Sequence, residues 1–184
     1  MSVYETEQQF IDLRSVHFSE IILDVGGGGE GVITRHSGSH VVVIDIRKDE
    51  LEEIPDSGLR IVMDARELGF LDNSFTTITC FFSLMFMSES TKNGALKELY
   101  RVLKPDGVLW IWDVTIPAEA KADVFVVQLR VQISDDEIAT PGYGIGWTEG
   151  QSVDSIIRIC EDAGFSNVEV SHSDQSFVLC VRKQ

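Results

Sequence analysis

The chain alternates short apolar runs with amphipathic stretches. Residues 21–25, 41–45, 60–64, 75–82 and 108–113 are nearly continuous apolar runs, the pattern of strands buried on both faces of a parallel sheet. Between them, residues 31–36 and 48–54 read as short helices, the second ending at Pro55. Residues 89–103 place Leu96, Leu99, Val102 and Leu103 on one helical face and stop before Lys104-Pro105-Asp106-Gly107. A residue before proline is pushed out of helical geometry and Asp-Gly suits a tight turn, so the fifth strand is expected to begin near Gly107.

The two ends break this rhythm. Over residues 4–16, Phe10, Leu13 and Val16 fall near one helical face, which predicts a short amphipathic helix. At the other end a helix over 153–163, closed by Gly164, leads to strands at 167–170 and 177–181. The turn at Ser173-Asp174 is too short for a parallel crossover, so these two strands should be antiparallel. Residues 114–150 are less regular: 124–133 alternates in its second half, and Pro141-Gly142-Tyr143-Gly144-Ile145-Gly146-Trp147 is rich in glycine and aromatics, which reads as an inserted hairpin or flap. The expected fold is α/β: a three-layer, doubly wound, mostly parallel seven-stranded sheet with an antiparallel C-terminal strand, plus that flap.

Composition narrows the partners. With 184 residues and no visible linker or repeat, one continuous domain over 1–184 is expected. No apolar run approaches a membrane span, the N-terminus lacks the look of a signal peptide, and Cys80, Cys160 and Cys180 are too scattered for a disulfide framework, so a cytoplasmic protein is expected. The formal charge of −15 disfavours nucleic acid and anionic lipid and favours small cationic ligands. His17, His36, His40 and His172 show no paired metal spacing, so no metal site is expected.

Asp24-Val25-Gly26-Gly27-Gly28-Gly29-Glu30-Gly31 is the most informative stretch. Successive glycines at the carboxyl end of a first strand strip away side chains where an open α/β sheet has its ligand crevice. Gly26-x-Gly28-x-x-Gly31 also fits a dinucleotide fingerprint, with Asp45 where a ribose-binding acid belongs, so a nicotinamide-dependent oxidoreductase is one reading. Asp24 argues for another. A pyrophosphate over this turn would be repelled by a carboxylate, whereas the ammonium and sulfonium of S-adenosylmethionine would be attracted. Glu30 either caps the following helix, the favoured reading, or faces the ligand.

These residues resemble the class I S-adenosylmethionine-dependent methyltransferases. Residues 22–31 look like the first motif of that family, departing from it by one extra glycine that puts Glu30 where the last glycine usually stands. Val43-Ile44-Asp45-Ile46 resembles the acidic end of the second strand, Val62-Met63-Asp64-Ala65 the segment after the third, 71–84 the fourth-strand motif, and 98–109 the helix–turn–strand that follows. The resemblance implies S-adenosylmethionine as cofactor, with Asp45 and Ile46 at the ribose and Asp64 and Ala65 at the adenine; Asp24, Gly26 and Gly28 of the glycine loop and Ser83 after the fourth strand are the other candidate cofactor contacts.

Methyl transfer is an in-line displacement at a carbon the sulfonium has already activated, so alignment and water exclusion supply most of the acceleration and no catalytic triad is needed. Asp113, at the end of the fifth strand, is the candidate base or substrate ligand, equally readable as a capped loop acid. Met87, Tyr143 and Trp147 are the candidate substrate contacts, with 114–150 supplying the substrate side or a dimer interface. The expected function is methyl transfer to a small-molecule acceptor. The alternatives are the oxidoreductase and a non-catalytic S-adenosylmethionine-binding protein on the same fold.

Overall fold

In the computed structural model, which describes residues 1–18, 20–55 and 57–184, strands dominate the two regions where the rhythm breaks. In chain order the elements are β1 (Val3–Glu5), β2 (Gln9–Asp12), β3 (Ile22–Val25), α1 (Val32–Ser37), β4 (Val41–Asp45), α2 (Lys48–Glu53), β5 (Leu59–Val62) and β6 (Phe75–Phe81). There follow α3 (Glu89–Val102), β7 (Leu103–Val114), β8 (Val124–Gln132), β9 (Ile138–Ala139), β10 (Gly142–Gly146), α4 (Val153–Ala163), β11 (Ser166–Ser173) and β12 (Ser176–Arg182).

The main sheet has seven strands in the order β11-β12-β7-β6-β3-β4-β5. β3, β4, β5, β6 and β7 pair in parallel, and β12 runs antiparallel to both β7 and β11. The mostly parallel architecture and the antiparallel end expected from the sequence are both present. Apolar side chains on both faces explain why these strands read as unbroken runs: along β7, Ile111 packs on one side and Trp112 on the other. One face is covered by α3 and α4 through Leu96, Leu99, Ile156 and Ile159. α4 is bounded as its sequence implies, by a reciprocal Ser152–Ser155 capping box and by Gly164 at φ 108°.

The other face departs from expectation. α1 and α2 are short, and the rest of the layer is a second, five-stranded sheet built around β8. β1 and β2 pair in parallel with β8, and β10 and β9 pair antiparallel to it. The expected helix over 4–16 is therefore absent. Gln9 and Ile11 are buried while Phe10 and Asp12 face out, a two-residue alternation that β8 imposes by supplying the missing ladder. The flap over 114–150 exists as the β8–β10 hairpin, yet it is part of this sheet: Phe125, Val127, Leu129 and Val131 pack into the core against Trp112, Val114 and Phe81.

A smaller difference lies at Lys104-Pro105-Asp106-Gly107. The expected turn is absorbed into β7 as an irregularity. Phe75 pairs with Leu103 but Thr77 with Val108, and Asp106 takes φ 61° while donating its N–H to the Lys183 carbonyl at 2.8 Å.

Candidate functional site

A crevice of about 800 Å³ opens at the carboxyl ends of β3, β4 and β6, the switch point of the sheet. The chain leaves β3 with the Gly26 N–H donating to the Ile44 carbonyl (2.8 Å) and Gly26 at φ 67°. A Cβ on Gly26 would stand 2.6 Å from the Ser83 Cβ, so the conformation and the approach of β6's end both demand glycine there. A Cβ on Gly27 would overlap the Asp24 carboxylate, and one on Gly28 would lie 2.5 Å from the Glu50 Cβ. The loop closes with the Gly29 N–H donating to the Glu50 carbonyl (2.9 Å), and Gly31, at φ 57°, starts α1.

Asp24 is buried against this loop. Its carboxylate accepts from the Thr79 hydroxyl at 2.7 Å, a register that β3–β6 pairing fixes. Burial pushes its pKa up to about 7; the Thr79 bond opposes that and the charge of Asp45 adds to it. Asp45, ending β4, accepts from the Arg47 N–H (2.8 Å) and more loosely from the Gly28 N–H (3.4 Å). Ile46 beside it is an exposed flat apolar edge. Asp64 pairs with Arg66 (2.6 Å), whose hydrogen bonds hold its pKa below the usual carboxylate range, and Ala65 lies between them on the wall. Ser83 is buried with its hydroxyl bonded to nothing among the described residues. Asp24, Gly26, Gly28, Asp45, Ile46, Asp64, Ala65 and Ser83 thus share one crevice, together with Met87 and Tyr143.

Two expected contributors are elsewhere. Asp113 does not reach the rim. Its strand runs on to Val114, and Gln151, bridged through the backbone to Ile116, closes over that end. The Asp113 carboxylate is fully buried, accepting from the Val114 N–H (2.8 Å), the Gln151 Nε2 (2.8 Å) and the Met85 N–H (3.2 Å). Burial outweighs those donors and pushes its pKa to about 6. Trp147 belongs to the core, donating Nε1–H to the Pro117 carbonyl (2.9 Å) with its ring against Phe125 and Tyr4. Glu30 caps nothing: α1 has no side-chain cap, and the Glu30 carboxylate lines the crevice beside the Tyr143 hydroxyl, whose pKa burial and that charge drive upward.

Three further lining groups carry no mark in the sequence that points to the site. Phe82 takes φ 48° as the chain leaves β6 and stacks on Tyr143, with centroids 5.9 Å apart; Phe86 meets the same ring edge-on at 6.3 Å. Glu50, on the acidic run that reads as a solvated face, instead turns toward the glycine loop. Its contacts with Gly28 and Gly29 reveal it. Among the described residues no cluster of His, Cys, Asp or Glu is arranged to hold a metal.

The donor set fits S-adenosylmethionine: a side-chain-free cradle, carboxylates at the ends of two adjacent strands, an apolar edge at Ile46 and an orphaned hydroxyl at Ser83. It fits a dinucleotide poorly, because Asp24 and Glu30 border the place a pyrophosphate would take, and the nearby Arg47 is already spent on Glu50 (2.8 Å) and Asp49.

Comparison with known proteins agrees. The family model described as a methyltransferase domain matches residues 23–111. Over 121 residues the chain is 32% identical to the ubiquinone/menaquinone biosynthesis C-methyltransferase UbiE of Vibrio cholerae, covering 58% of this chain and 46% of that protein. The corresponding protein of Hydrogenovibrio crunogenus is 26% identical over 195 residues, covering 94% of this chain and 76% of that one. The chain spans about half the length of the Vibrio relatives it matches. The solved S-adenosylmethionine-dependent methyltransferase of Methanosarcina mazei superposes with a TM-score of 0.65 at 18% identity, over 94% of this chain and 99% of that one, which establishes the common fold.

Proposed function

We propose that the chain is a class I S-adenosylmethionine-dependent methyltransferase and that it transfers a methyl group to a small-molecule acceptor at the mouth of the glycine-loop crevice, a reading supported by the methyltransferase-domain match and the shared fold. The observation that carries this reading is the pair of acids at the loop: buried Asp24 and the flanking Glu30 suit an ammonium and a sulfonium and oppose a phosphate, while Glu50 beside them is already paired with Arg47 (2.8 Å).

When bound, S-adenosylmethionine supplies a methyl group already activated by its positively charged sulfur. In this reading Asp24, once ionised, and Glu30 hold the amino acid's ammonium, and the bare backbone of Gly26 and Gly28 lets it approach. The Ser83 hydroxyl gains the partner it lacks. Asp45 receives the two ribose hydroxyls, having only backbone N–H donors of its own. Ile46 covers one face of the adenine, and Asp64, beside Ala65, accepts from its amino group by giving up part of its bidentate pairing with Arg66. Phe82, Phe86 and Tyr143 form an aromatic group at the opening. They exclude water, and their ring faces favour a cation at the reacting centre. Met87 adds an adaptable apolar contact on the acceptor's side.

The names of the matched relatives favour a ring carbon of a quinone precursor as the methylated atom. Thermal unfolding with S-adenosylmethionine, S-adenosylhomocysteine and NAD tests the cofactor. The first two should raise Tm, increasing with the logarithm of their concentration above the dissociation constant, and NAD should not; the reverse pattern overturns the assignment. Incubation with methyl-deuterated S-adenosylmethionine and quinone-precursor extracts, read by mass spectrometry, then tests the acceptor. A label found on nitrogen or oxygen would reject the ring-carbon reading alone.

A further inference from the structure

Glu30 is the residue by which the glycine loop departs from the usual family pattern, and the structure gives it no local task. α1 begins at Gly31 without a side-chain cap, and no arginine stands beside Glu30 among the described ion pairs, in contrast to Glu50. Gly29 and Gly31, at φ 71° and 57°, bracket it in left-handed backbone. Its side chain stands exposed on the wall of the crevice.

The group that faces Glu30 comes from the other sheet. Tyr143 stands on β10 in register with Val127 of β8. The strand is tied down on either side of it, by the Leu129 N–H donating to the Pro141 carbonyl (2.9 Å) and the Trp147 N–H to the Asp123 carbonyl (3.0 Å). Phe82 stacks on the Tyr143 ring and Phe86 meets it edge-on, which fixes the ring over the crevice. Glu30 faces the hydroxyl as a hydrogen-bond partner, whereas Asp24 and Glu50 act on it through charge alone. Burial and the Glu30 charge push the phenol's pKa up, so it stays protonated and remains a donor through the neutral range. A carboxylate offers roughly four lone-pair sites, so one spent on Tyr143 leaves room for an ammonium. An exposed glutamate held by nothing would lose side-chain entropy on meeting a ligand, and a partner already in place lowers that cost.

We propose that Tyr143 is a positioning residue for the amino acid end of the cofactor: its hydroxyl holds the Glu30 carboxylate ready for the ammonium of S-adenosylmethionine. The proposal rests on the methyl-transfer reading and deepens it by naming a residue outside the glycine edge that governs cofactor affinity. The ring and the hydroxyl of Tyr143 then have separate tasks. The ring packs with Phe82 and Phe86 at the opening, and the hydroxyl acts only through Glu30. The lengthened loop and the hairpin strand that covers it work as a pair, and a ligand without an ammonium is indifferent to both.

The test compares two ligands on the full chain by calorimetry. S-adenosylhomocysteine carries the ammonium; 5′-methylthioadenosine keeps the nucleoside and the sulfur but lacks the amino acid end. Tyr143→Phe retains the ring and its stacking. It should weaken S-adenosylhomocysteine by about three- to tenfold, the loss expected of one hydrogen bond, and leave 5′-methylthioadenosine unchanged, which also reports that the variant is folded. Glu30→Ala should weaken S-adenosylhomocysteine at least as much. Adding Tyr143→Phe to it should change nothing further, because the hydroxyl then has no carboxylate to hold. The proposal is overturned if Tyr143→Phe binds S-adenosylhomocysteine as wild type does, if it weakens both ligands alike, or if the losses of the two single variants add in the double variant. Failure of S-adenosylhomocysteine to bind wild type strikes the methyltransferase reading itself, and is seen before any variant is made.

Discussion

The glycine edge of the main sheet and the sheet that covers it obey different constraints. At the edge, the local chain explains its own residues: Gly27 is bare because Asp24, three positions back, lies beneath it, and Gly26 and Gly31 take φ 67° and 57° in the turn that leaves the strand. In the cover, the decisive partners are remote. Ser2 donates its N–H to Asp123 (2.6 Å) across 121 residues, and β1 and β2 have no ladder without β8. Local chemistry leaves a mark in the local sequence; long-range pairing leaves only an alternation that four or five residues scarcely display.

The sharpest way to break this contrast is to put a side chain into the cradle. Gly26→Val forces a β-branched residue into φ 67° and drives its Cβ against Ser83. Binding of S-adenosylhomocysteine by calorimetry should fall by more than about 100-fold, the outcome of losing a close backbone approach together with local strain. Retention of nanomolar or micromolar affinity would mean that the loop does not cradle the ligand. Asp45→Ala comes next. Removing a carboxylate that pairs with two hydroxyls should weaken binding by about 10- to 100-fold, with little change in Tm because Asp45 lies at the edge of the crevice. An unchanged dissociation constant would refute the ribose role.

The sequence was most readable where one residue type is obligatory. The glycine run, the acids ending β3 and β4, the helical face of α3 and the Gly164 stop all lie where they were expected. Asp113 misled because the end of a parallel strand is a rim only if nothing caps it, and Gln151, 38 residues later, does. Trp147 misled because an aromatic beside glycines can as well be the core of a hairpin as its exposed tip.

Proton linkage sharpens the contrast at Asp24. Its folded pKa of about 7 lies above the ordinary 3.8, so the ligand-free folded state holds a proton that the unfolded chain has lost. That contribution to stability is fully present below the ordinary value and is lost as pH rises through about 7. Ligand affinity runs the other way, because an ammonium favours the ionised carboxylate. Affinity for S-adenosylhomocysteine should climb by up to about tenfold per pH unit from 5 toward 7 and level off above it. In Asp24→Asn both dependences should flatten. A wild-type profile that is flat over this range would place the ammonium away from Asp24, with Glu30, which unlike Glu50 has no arginine beside it among the described ion pairs, as the next candidate.

The smallest effect discriminates most finely between helix and strand at the N-terminus. On the helical face expected over 4–16, Phe10 is a core residue; in β2 it is 48% exposed while its neighbour Ile11 is 4% exposed. Ile11→Ala should therefore cost about 2–4 kcal/mol in urea unfolding, through lost burial and the cavity left under β8. Phe10→Ala, although it removes the larger side chain, should cost under about 1 kcal/mol. The order of the two is the informative quantity, since a helix with Phe10 inward reverses it. Ligand affinity should stay the same in both variants, because β2 touches the cover and not the crevice. A loss of affinity in Ile11→Ala at temperatures where it remains folded would show that the cover sheet holds the glycine edge in shape, beyond the contact that Tyr143 of β10 already makes with the crevice.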